Sequence, residues 1–391
     1  MPVNNVQKIT QLVKKEAHRY GFQLVGVTSP DPPPHLDVFS KWLQANYHAG
    51  MAWMATDRAQ SRRANPLEIL PECKSVLVLG ALYQRPTVTS ESNQKRIKIA
   101  SYAVGNDYHD ILKPKLLGIV SFLESITGKQ IQNRWYTDTG PILEREFAQR
   151  AGLGWIGKNS CLINPEIGSY ILLAEIFLGI KLEFDQPVVK DYCGTCTKCV
   201  DQCPTKCIKD TRLIDSNRCI SYLTIENKGF IPKDLRALIG TWIFGCDICQ
   251  IHCPWNQKKV DKESKTSSLS LFDPGFLPAK GFESIDLIEE LNLSQEDFNH
   301  KFSNSPIKRT KRRGYLRNIA VALGNIGEIR AVPSLVKVLF DPEPLIRGHA
   351  AWALGQIGGN IATQNLQKAW STENHLQVKS EISAALNQCH P

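Results

Sequence analysis

Nine of the chain's twelve cysteines fall within residues 193–253, and the spacing of eight of them is its strongest chemical signal. Cys193, Cys196, Cys199 and Cys203, with Pro204 following, read C-x2-C-x2-C-x3-C-P. In bacterial ferredoxins that run gives three thiolates to one 4Fe–4S cluster and the fourth to another. Cys246, Cys249 and Cys253, followed by Pro254, repeat half the pattern, and Cys219 between the runs can supply an eighth ligand. Crossing the ligands assigns Cys193, Cys196, Cys199 and Cys253 to one cluster, and Cys203, Cys219, Cys246 and Cys249 to the other. Two zinc sites are the alternative, since C-x2-C is also a zinc spacing. Zinc explains neither the triple run nor the Cys-Pro endings. The expected chemistry is electron transfer.

A second candidate lies in Trp135 to Arg145, WYTDTGPILER. Asp138 falls where a strand gives way to a turn, ahead of Gly140-Pro141. A carboxyl at a strand end can act as a proton donor where a pocket raises its proton affinity. On local grounds it can equally cap a helix beginning near Pro141. Gly152 to Asn159, GLGWIGKN, is a glycine-dense loop with Lys158 and Asn159 as polar tips. It lacks the GxxxxGK[ST] pattern of a phosphate loop, and no G-x-G-x-x-G follows a strand. Asp107-Tyr108-His109 begins the D-x-H-x-x-G corrinoid signature, but residue 112 is Leu. Composition and spacing alone indicate no corrinoid.

These residues need a framework. Residues 1–20 read as an amphipathic helix through Val6, Ile9, Val13 and Tyr20, Phe22 to Val27 as a strand, and Ser29 to His35, with three prolines, as a loop. Ser75 to Leu82 is a buried strand, Ile111 to Thr127 a helix with Pro114 in its first turn, and Ile142 to Gln149 the start of another. Tyr170 to Leu178 suits a strand or a buried helix. The alternation suggests an α/β domain over 1–185 whose sheet order stays open. A cluster domain over 186–260 follows, then a linker and short helical fragments over 261–312, with Lys258 to Ser270 polar. In the tail, Ala320 to Gly327 (AVALGNIG) returns as Ala351 to Gly358 (AWALGQIG), a period of 31 residues, with a weaker copy ending at Leu386. Small residues at helical spacing allow close packing, so 313–391 reads as HEAT-like helical repeats, either a binding surface or a helical cap. Lys308, Arg309, Lys311, Arg312, Arg313 and Arg317 precede the first copy with no acid among them. They form either a phosphate-contacting strip or a solvated face. The fold class is α+β and multidomain.

The net charge of +9 leaves room for a polyanionic partner. Thiolate-held clusters and the four scattered cysteines, Cys73, Cys161, Cys207 and Cys389, fit a reducing cytoplasm. No apolar run approaches a membrane span, and the N-terminus carries no apolar signal core. No coiled-coil signal argues against a monomer.

Together the motifs resemble the epoxyqueuosine reductase family, which completes queuosine in tRNA. The matching stretches are Ser101 to His109, Asp138 to Pro141 with Glu144-Arg145, Ala151 to Asn159, the cysteine pattern, Phe244 to Pro254 and the repeat tail. The resemblance spans nearly the whole chain. It implies cobalamin held between the N-terminal and ferredoxin-like domains without the missing histidine. It also implies that two 4Fe–4S clusters feed electrons from an external donor to the cobalt, and that Asp138 is the proton donor. By the same resemblance Arg63 (or neighbouring Arg62), Ser101, Asn159, Ser221, Glu226 and the turn Cys246, Asp247, Ile248 and Cys249 contact the corrinoid. Val104 stands where the family often has a basic residue. The basic strip and repeats would hold an anticodon stem-loop and present a splayed base. Two competing readings are a corrinoid reductive dehalogenase of small molecules and a non-catalytic two-cluster carrier. The basic strip and repeats count against the first, and the large N-terminal domain against the second.

Overall fold

The structure, a computed structural model, describes residues 5–84, 97–209, 212–257, 272–279, 282 and 285–389. The polar stretch 258–270 lies outside them. The N-terminal part contains α1 (Val6–Arg19), β1 (Leu24–Thr28), α2 (Leu36–Gln44), α3 (Asp57–Ala64), β2 (Ser75–Leu82), β3 (Lys98–Ile99) and α4 (Tyr108–Thr127). It continues through β4 (Asn133–Tyr136), α5 (Glu144–Arg150), β5 (Trp155–Ile156), β6 (Leu162–Ile163) and β7 (Ile171–Leu178). The strand alternative for Tyr170 to Leu178 is the one realised.

The main sheet runs β1-β2-β7-β4, and each neighbouring pair is antiparallel. β2 is buried along its whole length because both faces are covered. On one face Leu77, Leu79, Ala174 and Ile176 pack against α1 and α4 through Ile9, Val13, Leu112 and Leu116. On the other, Val76, Val78 and Phe177 meet Phe147 and Ala148 of α5. α4 begins three residues before the position that periodicity suggests, because the Asp107 side chain accepts the His109 amide and caps it. Pro114 therefore sits a turn inside the helix and not in its first turn.

The cysteine-bearing part holds α6 (Lys198–Asp201), α7 (Ile220–Ile225), α8 (Lys233–Ile239), β8 (Trp242–Phe244) and α9 (Ile248–Ile251). β8 pairs in parallel with β3, tying this part to the segment before α4. After it come α10 (Leu287–Glu290) and α11 (Gln295–Lys301), then α12 (Lys311–Ile326), α13 (Val332–Val338), α14 (Pro344–Ile357), α15 (Asn360–Thr372) and α16 (Leu376–Cys389). The sequence copies form the ends of α12 and α14, and their glycines set the spacing. A Cβ on Gly324 would come within 3.0 Å of Ala353 Cα, and one on Gly355 within 2.8 Å of Ala385 Cα.

The repeats do not stand apart. Ile220, Leu223, Trp242 and Phe244 share one core with Leu316, Ile319, Ile346 and Ile382. Arg236 of α8 forms a buried two-pronged ion pair with Glu381 of α16, at 2.8 and 2.9 Å. Removing one partner of such a pair strands the other charge. Arg236→Met is expected to cost about 3–5 kcal/mol of stability, read by denaturant unfolding, with Glu381→Leu in the same chain restoring most of it.

Candidate active site

The fold gathers the first crossed set of cysteines around one cavity. Cys193, Cys196, Cys199 and Cys253 line a space of about 290 Å³ with Lys158, Tyr192 and Trp255. Lys158 Nζ spans the loop by donating to the carbonyls of Gly194 (2.8 Å) and Cys196 (3.0 Å). Four thiols around a space of this size have room for a multi-atom cluster.

The second set also comes together in the fold. Cys203 and Cys249 belong to one cluster of side chains with Cys199, Cys207 and Cys219, and Cys246 lies close enough to feel Cys219 and Cys203. Two cysteines that look scattered in the sequence join them. Cys207 Sγ lies 3.4 Å from Cys203 Sγ, and Cys161 lies beside Cys249. Spacing could not find them, since neither belongs to a repeating pattern.

The proton-donor candidate stands on a folded-back turn. Thr137 Oγ1 donates to the Leu173 carbonyl (2.8 Å), fastening the end of β4 to β7. Asp138 then adopts a left-handed backbone, φ 60°, which Asp tolerates better than most residues. Its amide donates to Glu144 Oε1 (2.6 Å), and its Oδ2 accepts from the Tyr108 hydroxyl (2.7 Å). Gly140 packs on Tyr136 so closely that a Cβ would meet the ring at 2.6 Å. Asp138 does not cap α5, which begins at Glu144 after Leu143. Its carboxyl is exposed and aimed by Tyr108, while the Tyr108 phenol is held protonated by burial and by the Asp138 charge.

Tyr102 lies beneath this turn. Burial pushes its phenol up, and Asp138, Asp247, Glu226 and Asp107 add to the effect in that order. Carboxylates from four segments thus converge on Tyr102. Ser101 donates through N (2.7 Å) and Oγ (2.6 Å) to Asp247 Oδ2 just before α9. Asn159 Nδ2 reaches the Cys249 carbonyl (3.5 Å). Ser221 lies on α7, and Glu226, one residue past that helix, pairs with Arg309 (2.8 Å). Arg63 is buried on α3, with Glu144 the charge that bears on it. Among the described residues, His48 Nδ1, Arg63 Nε and His109 Nε2 are buried without a hydrogen-bond partner. The structure therefore brings Ser101, Asp138, Glu226 and Asp247 together about Tyr102 and Tyr108. Those two tyrosines sit in the Ser101 to His109 stretch, but sequence reasoning gave them no role.

The basic strip divides. Arg317 is fully buried and donates to the carbonyls of Leu223, Asn227 and Gly229, so it fastens α12 to the cysteine-bearing part and cannot touch phosphate. Arg312 is spent on Asp341 (2.6 Å) and the Leu293 carbonyl. These two are corrections, because helical periodicity turns every third or fourth residue of such a run inward. Lys311 and Arg313 are exposed. Lys308 and Arg309 are exposed and paired with Asp107 and Glu226.

Comparison with known proteins sets this geometry in context. The family model "Epoxyqueuosine reductase QueG, DUF1730" matches residues 63–139, "4Fe-4S double cluster binding domain" matches 192–256, and "HEAT repeats" matches 312–387. The chain is 41% identical over 322 residues to an epoxyqueuosine reductase of Cyclobacterium marinum, covering 81% of this chain and 97% of that one. With the Escherichia coli protein of the same name it shares 37% over 355 residues, 90% of each chain. A crystal structure of epoxyqueuosine reductase with a tRNA-Tyr epoxyqueuosine-modified stem loop superposes with a TM-score of 0.89 at 32% identity. It covers 99% of this chain and all of that one. No helix among the described residues is long and apolar enough to cross a membrane.

Proposed function

This chain belongs to the epoxyqueuosine reductase family, and from that premise we propose that it reduces epoxyqueuosine to queuosine in tRNA. The observation that carries the reading is the gathering about Tyr102 of Asp138, the proton-donor candidate, and Asp247, which stands between the cluster-type Cys246 and Cys249. Removing an epoxide oxygen as water takes two electrons and two protons. Asp138, aimed by Tyr108, protonates that oxygen.

Residues 1–185 form the catalytic domain, 186–260 the two-cluster domain, 261–312 a connecting segment and 313–391 the repeats. Cys193, Cys196, Cys199 and Cys253 hold one 4Fe–4S cluster, and Cys203, Cys219, Cys246 and Cys249 hold the second. Arg63, Ser101, Asn159, Ser221, Glu226 and the turn Cys246 to Cys249 would hold cobalamin. Its amide-rich rim suits the unpartnered buried nitrogens of Arg63 and His109. When bound, cobalamin supplies a strongly reducing cobalt centre, recharged through the clusters by an external donor. The reducing cytoplasm suits all of this chemistry.

The tRNA stem-loop lies along Lys308, Arg309, Lys311 and Arg313. Replacing Lys311 and Arg313 together with Ala is expected to weaken tRNA binding and to lower the slope of log affinity against log salt by about 1–2. Filter binding across a salt series reads this, and an unchanged slope would make the strip a solvated face. The function itself is tested by expressing the chain in a bacterium that lacks its own epoxyqueuosine reductase. Queuosine in that strain's tRNA supports the reading, and persistent epoxyqueuosine with the protein folded and iron-loaded refutes it.

A further inference from the structure

Trp53 is an exposed indole held in a fixed place. It lies in the segment between α2 and α3, and 47% of its surface is open. That segment is stapled to residues 214–222 of the cysteine-bearing part. Trp42 Nε1 donates to the Ile214 carbonyl (2.7 Å), Ser216 N to the Tyr47 carbonyl (2.9 Å) and Asn217 Nδ2 to the Asn46 carbonyl (3.0 Å). Gly50 N donates to the Tyr222 hydroxyl (2.8 Å), and a Cβ on Gly50 would come within 2.7 Å of that oxygen. The Trp53 carbonyl accepts the hydroxyl of Thr56, the residue that caps α3 (3.2 Å).

Arg309, from the turn before α12, reaches across to this indole. Its Cζ lies 5.6 Å from the ring centroid. Its Nε and Nη2 donate to the two oxygens of Glu226, at 2.8 and 3.1 Å, which pins one edge of the guanidinium. The Arg309 side chain is still 56% exposed, and a guanidinium pinned at its edge keeps a flat face that can stack. Indole and guanidinium thus form one π surface assembled from separate stretches of chain. Its neighbours lead to the proton donor. Lys308, next to Arg309, pairs with Asp107 (2.8 Å), and Tyr108, next to Asp107, donates to Asp138 (2.7 Å).

We propose that Trp53 and Arg309 form a stacking platform for an unpaired nucleobase of the tRNA anticodon loop, one other than the base that is reduced. This rests on the tRNA-modifying function above. Presenting one loop base to Asp138 takes it out of the loop's stack and leaves its neighbour without a partner. An aromatic face replaces that partner, as in other proteins that hold single-stranded RNA. The surrounding charge suits RNA. Lys311 and Arg313 are exposed on the helix that follows Arg309. Lys228, also exposed, brings its Nζ to 3.3 Å from the Arg309 carbonyl.

The test uses the full-length, iron-loaded protein and a synthetic anticodon stem-loop, with guanosine in place of the modified base and single abasic substitutions elsewhere in the loop. Trp53→Ala should weaken stem-loop binding about tenfold, in the range of one base–aromatic stack, and Trp53→Phe should recover most of the loss. The salt slope of Trp53→Ala should match the wild type, because no cation is removed. One abasic position should weaken the wild type by a similar factor and leave Trp53→Ala unaffected. Quenching of indole fluorescence by the bound stem-loop should be smaller in Trp53→Phe than in the wild type, a reading that keeps a ring at this position.

Equal abasic losses in wild type and Trp53→Ala, or equal quenching in wild type and Trp53→Phe, would overturn the platform and leave the function standing. A wild type that binds neither this stem-loop nor tRNA carrying epoxyqueuosine would overturn the tRNA reading, and the platform with it.

Discussion

Asp138→Asn is expected to slow conversion by about 10²–10⁴-fold, the usual contribution of a positioned general acid. Iron content and tRNA affinity should stay at wild-type levels. Asparagine isolates the proton because it preserves almost everything else. Like aspartate, it tolerates the left-handed backbone at this position. Its amide oxygen can still accept the Tyr108 hydroxyl, and its backbone amide can still meet Glu144. Only the transferable proton is lost. Single-turnover rates at saturating enzyme check this, and a rate within a few-fold of wild type would remove Asp138 from its role.

The largest effect on cofactor content falls on Cys219. It lies far in sequence from Cys246 and Cys249, and folding brings it beside Cys207 at the N-terminus of α7. Cys219→Ala should leave about four irons per chain where the wild type holds about eight, and conversion should fall below detection. Cys207→Ala, next to Cys203 at 3.4 Å, should keep both clusters, because Cys207 lies outside the crossed pattern. Iron and sulfide counting with electron paramagnetic resonance checks both. Full iron in Cys219→Ala, or half in Cys207→Ala, would exchange their roles.

How much of this was legible depended on the kind of information each feature needs. Cysteine runs announce themselves because a cluster demands one residue type at fixed intervals, so seven of the eight candidate ligands stand out by spacing, and Cys219 could only be added as the eighth. The strand Ser75 to Leu82 matched to the residue, since two-sided burial leaves an unbroken apolar run. The sheet order could not be read, because periodicity identifies an element and not its neighbours. The start of α4 was hidden because Asp107 looked like part of a broken corrinoid signature when its side chain is a helix cap. Arg317 shows the limit for charge. Six cations within ten residues look alike in sequence, and only the direction in which α12 packs reveals that one is a buried clamp.

The measurement that bears most directly on the function is anaerobic reconstitution with iron, sulfide and cobalamin, followed by nucleoside analysis of epoxyqueuosine tRNA after a low-potential reductant is added. The account predicts queuosine in amounts that depend on added cobalamin and vanish when it is left out. Untouched epoxyqueuosine from a protein with both clusters and cobalamin bound would contradict it and assign the same machinery to another substrate.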